Sequence, residues 1–378
     1  MTGPGATRRA YLHRIATRAP DDTSGLEAMI ASGAIDPKAI LAIFGKTEGN
    51  GCVNDFSRGF ATRALKDALR EHAPRDVADA VCIVMSGGTE GALAPHMLVM
   101  EAREVDAPAQ EGALAIGRAR TPRLAPENLG RLAQVDAVAE GVIAAMRRAG
   151  IGDVDDVHFV QIKCPLLTAE RVAEVEAGGG STATRDTLKS MGLSRAASAL
   201  GVGVALGEIK RGSLTEAAIG RDWSLYSNRA SASAGVELTD HEIVVIGTAP
   251  GWSGPLRVAH CVMRDALDVE PVRATLSALG LGGAGQLAPA DRARMVAMLA
   301  KAEASSNGVL RGRRHTMLDD SDIGPTRHAR AFVAGALAGL VGHAEIYVSG
   351  GAEHQGPDGG GPVAVIASRA SPNEGMAK

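Results

Sequence analysis

At 378 residues, 45% hydrophobic and 22% charged, the chain is long enough for two or three domains and has the balance of a globular protein with a large core. A formal charge of -3 leaves no basic footprint for nucleic acid, and no apolar run reaches the roughly 18 residues that a membrane span needs. Aromatics are scarce at 3% while Ala, Gly and Val abound, which favours close-packed α/β layers over a sandwich built on large rings.

The first segment, MTGPGATRRAYLHRIATRAP, carries several Arg but no apolar stretch, so it does not read as a secretory signal. Loose alternation predicts an opening strand over Ala10–Thr17. Asp21–Gly25 supplies capping chemistry for a short helix, Leu26–Ser32, closed by Gly33. Ile40–Phe44 is a brief strand that delivers Gly45 and Lys46 at its end. Phe56–His72 is helical with Ser57-Arg58 in its first turn, a strand then runs into Ser86, and His96–Ala102 ends the unit.

The order then restarts. Leu114–Arg118 predicts a strand, Ala125–Gly150 a long amphipathic helix, and Val157–Ile162 a strand ending at Lys163. Gly178–Asp186 is a polar connector whose GGGS lacks the Lys-Ser/Thr pair of a phosphate loop. A helix opening with Ser194-Arg195 follows, then the Ser233 segment and a strand over Glu242–Thr248. A third pass places strand Leu256–Val262, helix Glu270–Leu279 and strand Met295–Ala300 leading to Lys301. It ends with a helix opened by Thr326-Arg327, a strand into Ser349 and a last strand over Pro362–Ala367. Internal similarity of this kind decides the architecture. The expectation is an α/β fold of three homologous repeats, 1–106, 112–249 and 255–378. Each is a small β-sheet backed by helices, and the three share a pseudo-threefold axis with a central active site.

Each repeat carries a Lys at a strand end, then Ser/Thr-Arg, then a serine on a Gly turn with an acid four positions later. The serines are Ser86 with Glu90, Ser233 with Glu237, and Ser349 with Glu353. If the repeats converge, six cations meet and need acids or an electron-rich ligand to offset them. A serine hydroxyl becomes nucleophilic when a neighbouring base takes its proton, and a lysine depressed by burial and nearby cations can be that base. Arg offers a fixed fork of donors for an oxygen on which charge develops. The set is compatible with hydrolysis of a flat, polar, multi-carbonyl ring.

The stretches GKTEGNGCVND, VMSGGTEG, QIKCPLL, SASAG, AKAEAS, RGRRHTMLDDSDI and YVSGGAEHQGPDGGGP, spread over nearly the whole chain, resemble the cyanuric acid amidohydrolase and barbiturase family of ring-opening amidases. The resemblance implies a cytoplasmic homotetramer that opens cyanuric acid to carboxybiuret, which loses carbon dioxide to give biuret. It also implies substrate contacts at Arg58, Ser86, Gly87, Arg195, Ser233, Ala234, Arg327, Ser349 and Gly350, with Lys46, Lys163 and Lys301 beside the serines. The Gly-rich tail resembles the family's metal loop, implying a structural Mg²⁺ or Ca²⁺ on Glu303, Ala352, Gln355, Gly356, Pro357 and Gly360, mostly through main-chain oxygens. A plain Gly-rich loop is the alternative there.

The middle repeat departs from the others. Ala234 replaces the first Gly, and Lys163 is followed by Cys-Pro, whereas Lys46 and Lys301 have an acid two residues on, Glu48 and Glu303. An acid near Lys keeps it charged, so Lys163 is expected to lose its proton most readily, in agreement with the family's nucleophile and base. Ser233 is the expected nucleophile and Lys163 its base; Ser231 is a competitor without the four-residue spacing to an acid. Two other readings stay open: a barbiturase opening a pyrimidine-trione ring, and a non-catalytic protein that binds a small anion. The ten His form no HExxH or zinc-spaced cluster, and His315 and His354 read as structural. Trp223 and Trp252 read as packing or interface residues. Cys52, Cys82, Cys164 and Cys261 lack CxxC spacing and read as reduced thiols.

Overall fold

The protein's structure, a computed structural model, describes residues 7–369. The first repeat runs β1 (Thr7–Ala16), α1 (Ser24–Ala31), β2 (Ile40–Thr47), α2 (Phe56–His72), α3 (Arg75–Asp79), β3 (Cys82–Gly87) and β4 (His96–Val105). The second runs β5 (Leu114–Arg120), α4 (Leu132–Ala149), β6 (Val157–Pro165), α5 (Ala169–Ala177), α6 (Thr187–Ala205), β7 (Ala230–Gly235) and β8 (Glu242–Thr248). A two-residue strand, β9 (Trp252–Ser253), then pairs with β1. The third repeat holds β10 (Leu256–Met263), α7 (Glu270–Ala278), α8 (Pro289–Arg294), β11 (Met295–Ala302), the hairpin β12 (Val309–Leu310) and β13 (Arg313–Arg314), α9 (Pro325–Val341), β14 (Tyr347–Gly350) and β15 (Gly361–Ser368).

The three sheets are wired identically, as β3-β2-β4-β1, β7-β6-β8-β5 and β14-β11-β15-β10. In each, the lysine strand pairs parallel with the serine strand and antiparallel with the last strand. Even the irregularity recurs. The ladder slips after Ile40, Val157 and Met295, each six residues before its lysine. The repetition expected from sequence is thus a property of the strand ladders. The outermost ends assigned to the first and third repeats, 1–6 and 370–378, lie outside the described residues.

Local chemistry fixes the helices that flank the sheets. Asp55 caps α2 by accepting from Ser57 N, and Asp186 caps α6 by accepting from Leu188 N and Lys189 N. Gly150 and Gly342 end α4 and α9 in the left-handed conformation. The helix expected over Ala125–Gly150 breaks after a single turn at Pro126–Asn128, because Gly130 takes a positive φ before α4 starts. Ser194-Arg195 does not open its helix: Asp186 nucleates α6 two turns earlier, so the pair lies mid-helix. The short helices α3, α5 and α8 and the β12–β13 hairpin have too few residues to show a period in sequence.

Strand alternation divides the core. In β2, Ala42 and Phe44 enter a central cluster fed by all three repeats, while Ile43 faces the helices of its own repeat. In β11, Leu299 enters the same central cluster while Met298 and Ala300 face the third repeat's helices. Lys46 and Lys301 follow Phe44 and Leu299 by two residues, so alternation points them to the axis as well. An apolar plug of Phe44, Val84, Leu299 and Tyr347 lies beneath them.

Candidate active site

Register does the first part of the assembly. Lys46 is paired with Ser86, Lys163 with Ser233 and Lys301 with Ser349 on adjacent parallel strands, so each amine and hydroxyl leave the sheet on one face. All six are buried. The serines from three repeats then meet: Ser86 Oγ donates to Ser349 Oγ at 3.3 Å, and Ser233 Oγ and Ser349 Oγ are 3.2 Å apart.

The lysines also solve an edge problem. Strands β3 and β7 end their sheets with free backbone groups. Lys163 Nζ donates to Met85 O at 2.7 Å, and Lys301 Nζ to Ala232 O at 3.0 Å, so each sheet's edge is closed by a lysine from the next. Glu242 and Gln355 accept from Ile83 N and Ala232 N on the same two edges. Lys46 Nζ donates to Ser86 Oγ at 3.1 Å, and Lys301 Nζ also to Ser349 Oγ at 3.2 Å. Lys163 instead has the Glu237 carboxylate 3.0 Å away.

Arg58, Arg195 and Arg330 ring the serines, together with Gly51, Gly87, Ala234 and Gly350, around a small polar cavity. The sequence pointed to Arg327, and the cavity lining carries Arg330. The Arg327 side chain is 38% exposed against 3% for Arg330, because it sits in the first turn of α9, outside the cavity lining. The signal was present: Arg330 stands in the apolar stripe of Val333, Ala334 and Leu337, where a charged residue needs a reason.

The acids four residues past each serine serve other repeats. Glu90 takes two hydrogen bonds from Arg330, Glu353 takes two from Arg195, and Glu237 lies beside Arg58 as well as Lys163. Burial works to raise all three carboxyls, and the facing cations outweigh it and hold them below the usual range. Gly88 and Gly351 have positive φ, and a side chain there would strike Arg330 and Arg195. Gly87 is required because Asp55, the cap of α2, fills the space of a Cβ. Ala234, its counterpart, keeps its methyl group buried.

Burial depresses all three lysines. Lys46 is lowered well below its usual range, with Arg330 and Lys301 adding to desolvation. Lys301 is brought down to about 7 by burial and then Arg195. Lys163 is also lowered by burial, against the pull of Glu237. This reverses the sequence argument that Lys163 lacks an acid. Glu48 leaves the end of β2 for solvent, whereas Glu237 reaches across from the neighbouring strand.

Glu303 is half-buried, and desolvation and Glu353 raise it; its oxygens accept from Ala304 N and Thr326 Oγ1, both at 2.9 Å. The Gln355 side chain is spent on Ala232 N, Gly351 O and Glu353 O, leaving its main-chain oxygen as the candidate donor. The residues Ala352, Gln355, Gly356 and Gly360 are buried and Pro357 half-buried. Among the described residues no group of three or more His, Cys, Asp or Glu could hold a metal. A half-buried carboxylate with no ion pair among the described residues, beside a carbonyl-rich turn, does suit a hard cation. His315 bonds Ser305, His354 bonds Gly220 N and stacks on Trp223, and Trp252 is buried with its indole donating to Ala149 O. Ser231 donates to Gln161 Oε1, away from the serine triplet.

Hydroxyls set against easily deprotonated amines are equipped for acyl transfer, and guanidiniums ringing a small polar cavity suit a compact substrate rich in carbonyls. The class is that of amide-cleaving hydrolases. A family model described as amidohydrolase ring-opening protein (Amido_AtzD_TrzD) matches residues 11–368, and the chain belongs to that family of cyclic amide hydrolases. It is 65% identical over 360 residues to the cyanuric acid amidohydrolase of Azorhizobium caulinodans, covering 95% of this chain and 98% of that one. It is 60% identical over 370 residues to the cyanuric acid amidohydrolase of Bradyrhizobium sp. (strain ORS 375), covering 97% and 100%. Among solved structures it is similar to the A. caulinodans cyanuric acid hydrolase, with 64% identity, a TM-score of 0.89 and 96% and 100% coverage. A second cyanuric acid hydrolase, described as an evolutionary innovation by structural concatenation, has 48% identity, a TM-score of 0.91 and the same coverage. Membership in a family of enzymes sets aside the non-catalytic anion binder.

Proposed function

We propose that the enzyme opens cyanuric acid to carboxybiuret, which then loses carbon dioxide to give biuret. Three repeats present like donors around one axis, and cyanuric acid offers three equivalent carbonyl and N–H edges. Arg58, Arg195 and Arg330 hold the ring oxygens, with the serine hydroxyls and the Gly87, Ala234 and Gly350 backbone beside them. Ser233 attacks one carbonyl carbon as Lys163 takes its proton. Arg donors stabilise the oxyanion, the ring C–N bond breaks, and the departing nitrogen receives the proton from Lys163. Water, deprotonated by Lys163, then cleaves the acyl-enzyme ester.

The observation that carries the assignment is the contact between Lys163 and Glu237 at 3.0 Å. A base must be strong enough to take a proton yet partly unprotonated at working pH. Lys163 is the lysine whose depression a touching carboxylate opposes, and among the described residues Ser233 Oγ receives no hydrogen bond from a lysine. A second reading uses Ser86 with Lys46, because that amine touches its serine at 3.1 Å and is held well below its usual range by burial. Incubating Ser86→Ala, Ser233→Ala and Ser349→Ala enzymes with cyanuric acid and with barbituric acid separates the readings. Loss of turnover in Ser233→Ala with residual turnover in the others supports Ser233; the reverse for Ser86→Ala overturns it. Preference for barbituric acid would make the enzyme a barbiturase.

The same reading includes a structural Mg²⁺ or Ca²⁺ on Glu303 and the oxygens of Ala352, Gln355, Gly356, Pro357 and Gly360, where it would clamp the tail loop. It also includes a homotetramer, with exposed Phe56 and Phe60 on one face of α2 as candidate contacts. We place it in the cytoplasm. The four cysteines are unpaired, and no helix of the described residues is long and apolar enough to cross a membrane.

A further inference from the structure

The serine strands are alike at the serine and unlike two residues before it. Val84, Ser231 and Tyr347 occupy that position, on the face the serine shares. Val84 has no polar atom, and Ser231 is engaged with Gln161 at 2.7 Å. Tyr347 is fully buried, its ring 5.8 Å from that of Phe44 and 5.9 Å from Lys46 Nζ. Its hydroxyl is turned toward Ser233 and Ser86, yet among the described residues it completes no hydrogen bond. A buried, unpaired donor is costly, and a site is where such a cost persists.

The serine oxygens are unequally occupied. Ser86 Oγ accepts from Lys46 and donates to Ser349, and Ser349 Oγ accepts from both Lys301 and Ser86. Ser233 Oγ has Ser349 as its one partner among the described residues. The unpaired donor therefore adjoins the least occupied acceptor. We propose that Tyr347 is a positioning residue that singles out Ser233 among three similar serines, donating its phenolic hydrogen to Ser233 Oγ as that oxygen gives up its proton to Lys163. Burial keeps the phenol protonated, so it can act as a donor throughout. No proton is transferred from Tyr347; the bond orients the attacking oxygen and stabilises its growing negative charge.

This inference rests on Ser233 being the nucleophile, and the test separates the two. Tyr347→Phe keeps the ring and its packing. Steady-state rates of the full-length variant on cyanuric acid across neutral and alkaline pH are expected to show kcat lowered roughly ten- to a hundredfold, the yield of a hydrogen bond to a developing charge. KM should stay within about twofold, and the rising limb of the kcat profile should move to higher pH. An unchanged kcat overturns the inference, as does a fall with no pH displacement accompanied by a large loss of thermal stability. If Ser233→Ala is dead while Tyr347→Phe turns over normally, only the Tyr347 role fails. If Ser233→Ala still turns over and Ser86→Ala does not, the nucleophile reading itself fails, and this role with it.

Discussion

Glu90 of the first repeat grips Arg330 of the third through two hydrogen bonds of 2.6 Å each. The relation passes round the axis, since Glu353 of the third grips Arg195 of the second. In the second repeat it changes, because Glu237 spends its carboxylate on Lys163 at 3.0 Å. Two repeats thus use their acid to hold a guanidinium, and one uses it to tune an amine.

Glu90→Gln should leave Arg330 charged, buried and without its anion. Breaking a buried pair from one side costs about 3 kcal/mol, so the melting temperature should fall by several degrees. Affinity for a ring analogue should fall with it. A variant that melts and binds like the parent would show that the grip has no consequence.

Arg330 and Arg327 stand three residues apart on α9 and predict opposite phenotypes. Arg330→Met removes a donor from the cavity wall and should lower kcat/KM by roughly a hundredfold or more. Arg327→Met removes a partly exposed contact to Glu90 and should change kcat/KM by less than about threefold. Equal losses would reject the assignment of the third guanidinium to Arg330.

Why one arginine was legible and its neighbour not is physical. Strand ends, lysines and serines are periodic objects, and the ladders repeat them in register, so the triplication could be read directly. The helices are not in phase. Arg58 is the third residue of α2 and Arg195 the ninth of α6, so position after a helix start says little about which way a side chain points. The effect of Glu237 on Lys163 was hidden for a related reason. The two are far apart in sequence and meet only because β6 and β7 pair, whereas Glu48, near Lys46 in sequence, turns to solvent. Tyr347 lies in the apolar run that leads into Ser349, and only the placement of its hydroxyl beneath the serines sets it apart.

Gly88 and Gly351 should not tolerate a methyl group. Both take positive φ, and a Cβ would run into Arg330 and Arg195. Gly351→Ala should reduce kcat/KM at least about tenfold by displacing Arg195, while Ala234→Gly, which only empties a small space, should stay within about threefold. Parent-like kinetics in Gly351→Ala would mean that Arg195 needs no fixed position.

If a cation clamps the tail loop, exhaustive dialysis against a chelator should lower the melting temperature, and Mg²⁺ or Ca²⁺ should restore it. Saturating ion contributes about 2.7 kcal/mol at a hundred times its dissociation constant. Glu303→Gln should melt at one temperature with or without ion. Indifference of the parent enzyme to chelator and ion alike would remove the cation from the proposal.

The junction between the second and third repeats should weaken in acid. Arg14 and Arg118 donate to Val296 O and Leu41 O at the other two junctions, at 3.3 and 3.2 Å. At the matching position the third sheet has His260, whose Nδ1 lies 2.9 Å from His158 Nδ1. That contact needs one ring neutral. Burial, then His158 and Arg229, bring His260 down to about 4, and burial and Arg229 lower His158 against Asp156. Folded-state values below the unfolded 6.5 mean that the unfolded chain binds more protons as pH falls from about 6.5 toward 4, so stability is lost across that window. Each such proton contributes at most about 1.4 kcal/mol per pH unit. Thermal melts of the parent and of His260→Gln between pH 7 and pH 4 should converge toward acid, because the variant sheds one titrating group. Curves that stay parallel would show that this histidine pair does not set the acid limit.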